Sequence, residues 1–306
     1  MRQFIEDELN VLNDMRPIKT LKSVLYHSTK KGINPWSFNY LRFVLSDKRR
    51  CRLFVSFPKS GRNWAIDILT YCIVKKFTGK YDIKYHNNGT LKEREQKPYI
   101  LFHPADTRSG NQRPIQEFFP QLDIDYCLHT HGYWKASPLW GLDNAKTVFI
   151  GRNIPTMLYS YYKAHSFEKI EDVVSKGVLD RAINFYNSWG EFCSKHNNYQ
   201  IFKYEDFKKN PIKYFGDLIF YVFNLKIGDD LLKEACDYYS IESQKQREYQ
   251  FCSDESKHFH YKGLTDYSNY FPPELLQYIY TEINAKLRYN FGYQYPGAME
   301  NIKRSI

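Results

Sequence analysis

Arg52-Leu53-Phe54-Val55-Ser56-Phe57-Pro58-Lys59-Ser60-Gly61-Arg62-Asn63-Trp64 is the stretch on which the fold turns, and it runs on into Ala65-Ile66-Asp67-Ile68-Leu69-Thr70-Tyr71. A short apolar run ends in the turn formers Pro58 to Gly61, after which apolar residues recur at helical spacing at Trp64, Ile68, Tyr71 and Cys72. The pattern predicts strand, phosphate loop and helix in direct succession. Loop N–H groups and the first helical turn then face one anion, because those N–H groups have no partner within the helix. The nucleotide-kinase loop needs two glycines with a lysine after the second, whereas Lys59 precedes the loop's only glycine, Gly61. A different phosphate donor is expected.

Working outward, strands are predicted over 125–131, 147–153 and Tyr199–Lys203, with one possible strand at 99–103. Helices are predicted over 155–165, 179–195, Pro211–Phe223, 229–239 and 273–288, and Pro155 suits the first turn of its helix. Strands alternating with helices imply an α/β fold, a parallel sheet flanked by helices on both faces. Ligands of such sheets bind at the carboxyl ends of the strands. Residues 1–50 read as an N-terminal extension packed on a domain spanning 51–292, followed by a tail at 293–306. The segment 80–121 is polar and turn-rich, and connections of that length are often functional.

The 306 residues suffice to bury roughly three quarters of the unfolded surface in one large core. Lys and Arg number 44 against 34 Asp and Glu, a formal charge of +10, which suits an anionic ligand. The basic residues are scattered, the densest run being Lys48 to Arg52, so a small anion is expected rather than nucleic acid. The six cysteines include no C-x-x-C pair, which argues against a thiolate zinc site and for reduced, mostly buried thiols. The first residues lack the apolar core of a signal peptide, and no segment approaches the ~18 apolar residues of a membrane span. A soluble cytoplasmic protein is expected, with the sequon at Asn88 only a turn.

Three predicted strands end in polar or charged residues: Lys59-Ser60-Gly61, His129-Thr130-His131, and Arg152-Asn153 with Ser160 beyond. A fourth segment runs from Tyr261-Lys262-Gly263 through Asp266-Tyr267 to Phe271. Together with Tyr204-Glu205-Asp206, these resemble the sulfotransferase family in five places and in order. Phe57 to Trp64 matches its Y-P-K-S-G-T-T-W signature, Arg152 to Pro155 with Ser160-Tyr161-Tyr162 its second, and 261–271 its R-K-G-x-x-G-D-W-x-x-x-F. The resemblance covers about residues 51 to 292.

The resemblance implies a donor, 3′-phosphoadenosine 5′-phosphosulfate, a product, adenosine 3′,5′-bisphosphate, and no metal. In-line sulfuryl transfer to a hydroxyl or amine of a small-molecule or glycan acceptor is then electrostatic work, akin to phosphoryl transfer. Lys59 would stabilise the leaving phosphate, with Ser60, Gly61, Arg62 and Asn63 around the 5′ end. Arg152, Ser160, Lys262 and Gly263 would hold the 3′-phosphate, and Trp64 and Tyr204 would flank the adenine. His131, the histidine after Thr130, is the expected general base; His129, two residues away and on the same face of the strand, is its competitor by spacing. Glu205 and Asp206 are expected to cap the segment that follows them.

The chain departs from the family's pattern in places. His129 stands where the family has Lys, Tyr261 where it has Arg, and Arg62 and Asn63 where it has two threonines. The short C-terminal dimer motif is absent, leaving oligomeric state open. The competing readings are an ATP-dependent phosphotransferase and a non-catalytic polyanion or nucleic-acid binder.

Overall fold

Strand β1 (Cys51–Val55) is buried at every position, as a central strand covered on both faces must be. It pairs in parallel with β2 (Tyr126–Thr130) on one side and β3 (Lys146–Gly151) on the other, and β3 pairs in parallel with β4 (Tyr199–Lys203). Among the described residues the sheet has four strands in the order β2-β1-β3-β4. The chain therefore leaves β1 for one edge and crosses back to build the other. The carboxyl ends of β1 and β3 flank that switch point, where open α/β sheets bind their ligands. The computed structural model describes residues 46–81, 115, 119–134, 142–165, 167–243, 246 and 270–297.

Side chains alternate between the sheet's two faces. Leu53, Val55, Leu128 and Phe149 belong to one core, with residues of α2 (Ile154–Ala164), α3 (Asp172–Ser175), α4 (Val178–Lys195) and α8 (Pro273–Lys286). Phe54, Cys127, Val148, Ile150 and Phe202 belong to the other, with α1 (Arg62–Thr78), α6 (Pro211–Phe223) and α7 (Asp229–Tyr238). The parallel α/β architecture expected from the sequence is present. A further short helix, α5 (Tyr204–Lys209), starts directly from the end of β4.

Local chemistry sets the helix ends. Asn153 caps α2, its side chain accepting from the Thr156 N–H, and Asn210 caps α6 through the Lys213 N–H at 3.2 Å. Helix α8 stops at Lys286 rather than 288 because Asn187 of α4 takes its backbone away. The Asn187 amide donates to the Lys286 carbonyl at 2.9 Å and accepts from the Arg288 N–H at 2.7 Å. β2 and β3 also end short of the predicted 131 and 153, leaving His131 and Arg152 just beyond the ladder.

Cys51, Cys72, Cys127 and Cys193 are buried and unbridged, and burial pushes the Cys51 thiol up to about 11 and those of Cys72 and Cys193 to about 12. The possible strand at 99–103, the sequon at Asn88, most of the 80–121 segment, residues 1–45 and Tyr261 to Asn269 lie outside the described residues. Among the described residues, no helix is long and apolar enough to cross a membrane.

Candidate active site

The loop after β1 opens with the Ser56 N–H on the Thr130 carbonyl at 3.3 Å and folds into a turn, with the Ser60 N–H on the Phe57 carbonyl at 3.2 Å. Lys59 (φ 71°) and Gly61 (φ 88°) both take left-handed backbone. For Lys59 that conformation costs about 1–2 kcal/mol, a strain the surrounding structure must hold. Such alternation turns neighbouring N–H groups toward a common side, the geometry of an anion nest. Only glycine fits at 61, since a Cβ there would run into the Tyr204 ring. Burial lowers the pKa of the half-buried Lys59 ammonium.

Arg152 follows β3 and is 5% exposed. Its Nη1 donates to the Lys59 carbonyl at 2.8 Å, and its guanidinium lies 4.1 Å from the Tyr204 ring centre. Tyr186 of α4 grips the same residue by its backbone: the phenol accepts from the Arg152 N–H at 2.9 Å and donates to its carbonyl at 2.6 Å. The β1 loop, the end of β3 and the start of α5 thus form one assembly. Tyr204 is also edge-on to Trp64, which meets Phe207 and Phe215 in the same way.

His131 meets the loop from β2. Its Nδ1 lies 2.5 Å from the Ser56 carbonyl and its Nε2 lies 2.8 Å from Arg62 Nη1. A carbonyl can only accept, so Nδ1 carries the proton and Nε2 presents the lone pair that takes the Arg62 N–H. Arg62 also reaches the Asn63 amide oxygen through Nη2 at 3.0 Å. The competing His129 ring sits 6.4 Å from that of His131.

The structure thus brings together Lys59, Ser60, Gly61, Arg62, Asn63, Trp64, His131, Arg152 and Tyr204. Ser160 is half-buried on α2, which starts from the same strand end as Arg152. Lys262 and Gly263 lie outside the described residues.

The sulfotransferase domain description matches residues 52–290, most of the chain. The chain belongs to the sulfotransferase family. It is a transferase enzyme of that family, 24% identical over 262 residues to a flavonol 3-sulfotransferase of Flaveria bidentis, covering 76% of this chain and 80% of that one. Among solved structures, retinol dehydratase in complex with androsterone and inactive cofactor PAP aligns with a TM-score of 0.54, 14% identity, and coverage of 86% and 88% of the two chains. A mouse sulfotransferase, SULT7A1, complexed with PAP aligns with a TM-score of 0.53, 16% identity, and coverage of 78% and 85%. At those identities the solved structures establish a shared fold.

Three groups around this candidate site have roles not anticipated from sequence. Lys208 lies 5.5 Å from the Trp64 ring centre, and burial, with the Arg152 charge adding to it, lowers its pKa despite an opposing effect of Glu242. Its spacing of four from Tyr204 on α5 was the available signal, since i and i+4 share a helix face. The Tyr186 clamp carries no local signal. Glu205, expected as a cap, instead joins two distant segments: Oε1 accepts from the Asn153 N–H at 3.0 Å and Oε2 from the Tyr293 hydroxyl at 2.7 Å.

The buried Arg152 guanidinium and the left-handed turns of the loop fit a ligand that carries phosphate. The Ser60 hydroxyl is 1% exposed and approaches the Tyr186 phenol without a hydrogen bond of ordinary geometry among the described residues. Beside it Gly61 lets the Tyr204 ring close against the loop, where a Cβ would collide with it.

Proposed function

We propose that this sulfotransferase moves the sulfuryl group of 3′-phosphoadenosine 5′-phosphosulfate to a hydroxyl or amine of a small-molecule or glycan acceptor, within a domain spanning about residues 51–292. The observation that carries the reading is that one loop is held from two sides. Arg152 grips the Lys59 carbonyl, while the Ser56 carbonyl orients the His131 imidazole. Phosphate grip and base are thereby kept in register on the loop between them. That PAP, adenosine 3′,5′-bisphosphate, occupies structural neighbours supports the choice of donor.

The bound donor supplies the sulfuryl group and a phosphate leaving group. Lys59 brings a partly desolvated ammonium, whose charge is worth more there than in water. The Ser60 hydroxyl, the first-turn N–H groups of α1 and the Asn63 side chain serve the 5′-phosphate, and Arg62 serves the sulfuryl group it carries. Arg152, Ser160, Lys262 and Gly263 serve the 3′-phosphate. Trp64 and Tyr204 supply flat faces for the adenine. His131 Nε2, its tautomer set through Nδ1, takes the acceptor's proton.

Calorimetric titration with adenosine 3′,5′-bisphosphate, ATP and duplex DNA tests the reading. Tight binding of the bisphosphate alone is the expected result. Binding of ATP or DNA without the bisphosphate would overturn it.

A further inference from the structure

The single basic nitrogen of His131 is already engaged. Nδ1 donates to the Ser56 carbonyl at 2.5 Å, so the only lone pair is on Nε2, and Arg62 Nη1 sits on it at 2.8 Å. One lone pair cannot accept from a guanidinium and from an acceptor hydroxyl together. A base at His131 therefore requires Arg62 to move.

Where it moves follows from charge and distance. The acceptor oxygen must come within about 3 Å of Nε2 to give up its proton, and within about 3–3.5 Å of the sulfur it attacks. The sulfuryl oxygens then lie within a few ångströms of the place Arg62 now occupies, within reach of a long side chain. Two forces push the same way as the reaction proceeds. The imidazole gains a proton and repels the guanidinium, while negative charge on the transferring group attracts it. Arg62 is the first residue of α1, where the positive helix end disfavours a cation without an anionic partner and so favours pairing with the sulfuryl oxygens.

We infer that Arg62 is a catalytic residue with two stations: it caps His131 Nε2 in the free enzyme and transfers to the sulfuryl oxygens of the bound donor, leaving Nε2 to the acceptor hydroxyl. This rests on the donor and base assignments made under Proposed function. In the step itself, the acceptor oxygen forms its bond to sulfur as its proton passes to Nε2. The bond from sulfur to the bridging oxygen breaks, and its electron pair stays on the 5′-phosphate of the departing bisphosphate. Arg62 exchanges one hydrogen-bond acceptor for another and remains charged throughout, as a guanidinium does at any working pH. That contact strengthens as charge builds on the transferring group, so it lowers the barrier as well as tightening donor binding.

The test needs no identified acceptor. Calorimetry compares the phosphosulfate donor with adenosine 3′,5′-bisphosphate in the wild type, Arg62→Ala and Arg62→Lys, and release of sulfate to water reads turnover. The expected result for Arg62→Ala is bisphosphate affinity within about threefold of wild type, with a selective loss of about tenfold or more for the phosphosulfate. Sulfate release falls by about 100-fold, the usual cost of one donor to a developing charge, and Arg62→Lys recovers part of both. Equal losses for the two ligands would overturn the inference by placing Arg62 on the 5′-phosphate, and unchanged sulfate release would overturn it too. A wild type that binds neither ligand would instead sink the functional reading beneath it.

Discussion

Arg152 donates from Nη1 to the carbonyl oxygen of Lys59 at 2.8 Å, across 93 residues of sequence. The contact makes the proposed 3′-phosphate residue the brace of the proposed 5′-phosphate loop. Lys59 holds its left-handed backbone because a buried guanidinium has taken the carbonyl which that conformation presents. Stacking on Tyr204, whose ring also abuts Gly61, closes the assembly.

Replacing Arg152 with Lys keeps a charge but loses the planar fork that can serve Lys59 and a phosphate together. Affinity for adenosine 3′,5′-bisphosphate should fall by about tenfold or more. The loss should be smaller for adenosine 5′-phosphate, which lacks the group Arg152 is proposed to hold. Equal losses for the two ligands in titration would reduce Arg152 to a loop brace.

Gly61→Ala places a Cβ against the Tyr204 ring at φ 88°. Left-handed strain of about 1–2 kcal/mol adds to displacement of the ring. Denaturant unfolding should register that loss, and bisphosphate binding should weaken beyond it because Tyr204 and Arg152 shift together. Wild-type affinity in this variant would separate Tyr204 from the ligand.

Lys59 gives a pH signature. Burial holds its pKa below the ordinary 10.5, and a bound anion favours the protonated form and raises it. Affinity for the bisphosphate should therefore fall as pH rises through the free enzyme's lowered Lys59 pKa, earlier than an ordinary lysine would dictate. Between the free and bound pKa values, binding takes up protons. Titrations near pH 9 in buffers of different ionisation enthalpy measure that uptake, and at this pH the phosphates no longer contribute. Lys59→Met should diminish it, with any remainder arising from Lys208, which is lowered for the same reason. Undiminished uptake would remove Lys59 from the anion site.

How much of this was legible in the sequence depends on the range of the contact. The β1 loop and the start of α1 could be read because Pro58, Gly61 and the helical period are neighbours in sequence, and β4 has the predicted limits Tyr199–Lys203. His131 and Arg62 lie 69 residues apart and meet only because β1 and β2 pair in the register that sets Val55 beside Thr130. A one-residue slip would turn His131 to the other face. The Tyr186 clamp and the Glu205 tie likewise depend on how α4 and the segment holding Tyr293 pack, which no local pattern encodes.

Tyr186→Phe tests the clamp by itself. The ring remains, but the Arg152 N–H and carbonyl both lose their partner in a buried site. The expected cost is about 1–3 kcal/mol in denaturant unfolding. Bisphosphate binding should weaken as well, because the residue set loose is Arg152. A stability loss with binding untouched would show that the Lys59 contact suffices to position the guanidinium.

The base is tested most directly by His131→Asn. An asparagine amide can still donate to the Ser56 carbonyl, so the local fold and the loop are preserved, while the lone pair at Nε2 is gone. Binding of the bisphosphate should stay within about threefold of wild type, since the asparagine amide keeps the bond to Ser56 by which residue 131 meets the loop. Turnover, followed as release of labelled sulfate or with any acceptor found by screening, should drop by about 100-fold to 10,000-fold, the usual range for loss of a positioned proton acceptor. His129→Asn serves as the control, because that ring lies 6.4 Å from His131 and competes with it by strand spacing alone. If His129→Asn abolishes transfer while His131→Asn does not, the Arg62 contact on His131 Nε2 would mark a structural histidine, and the base would lie on the strand itself rather than one residue past its end.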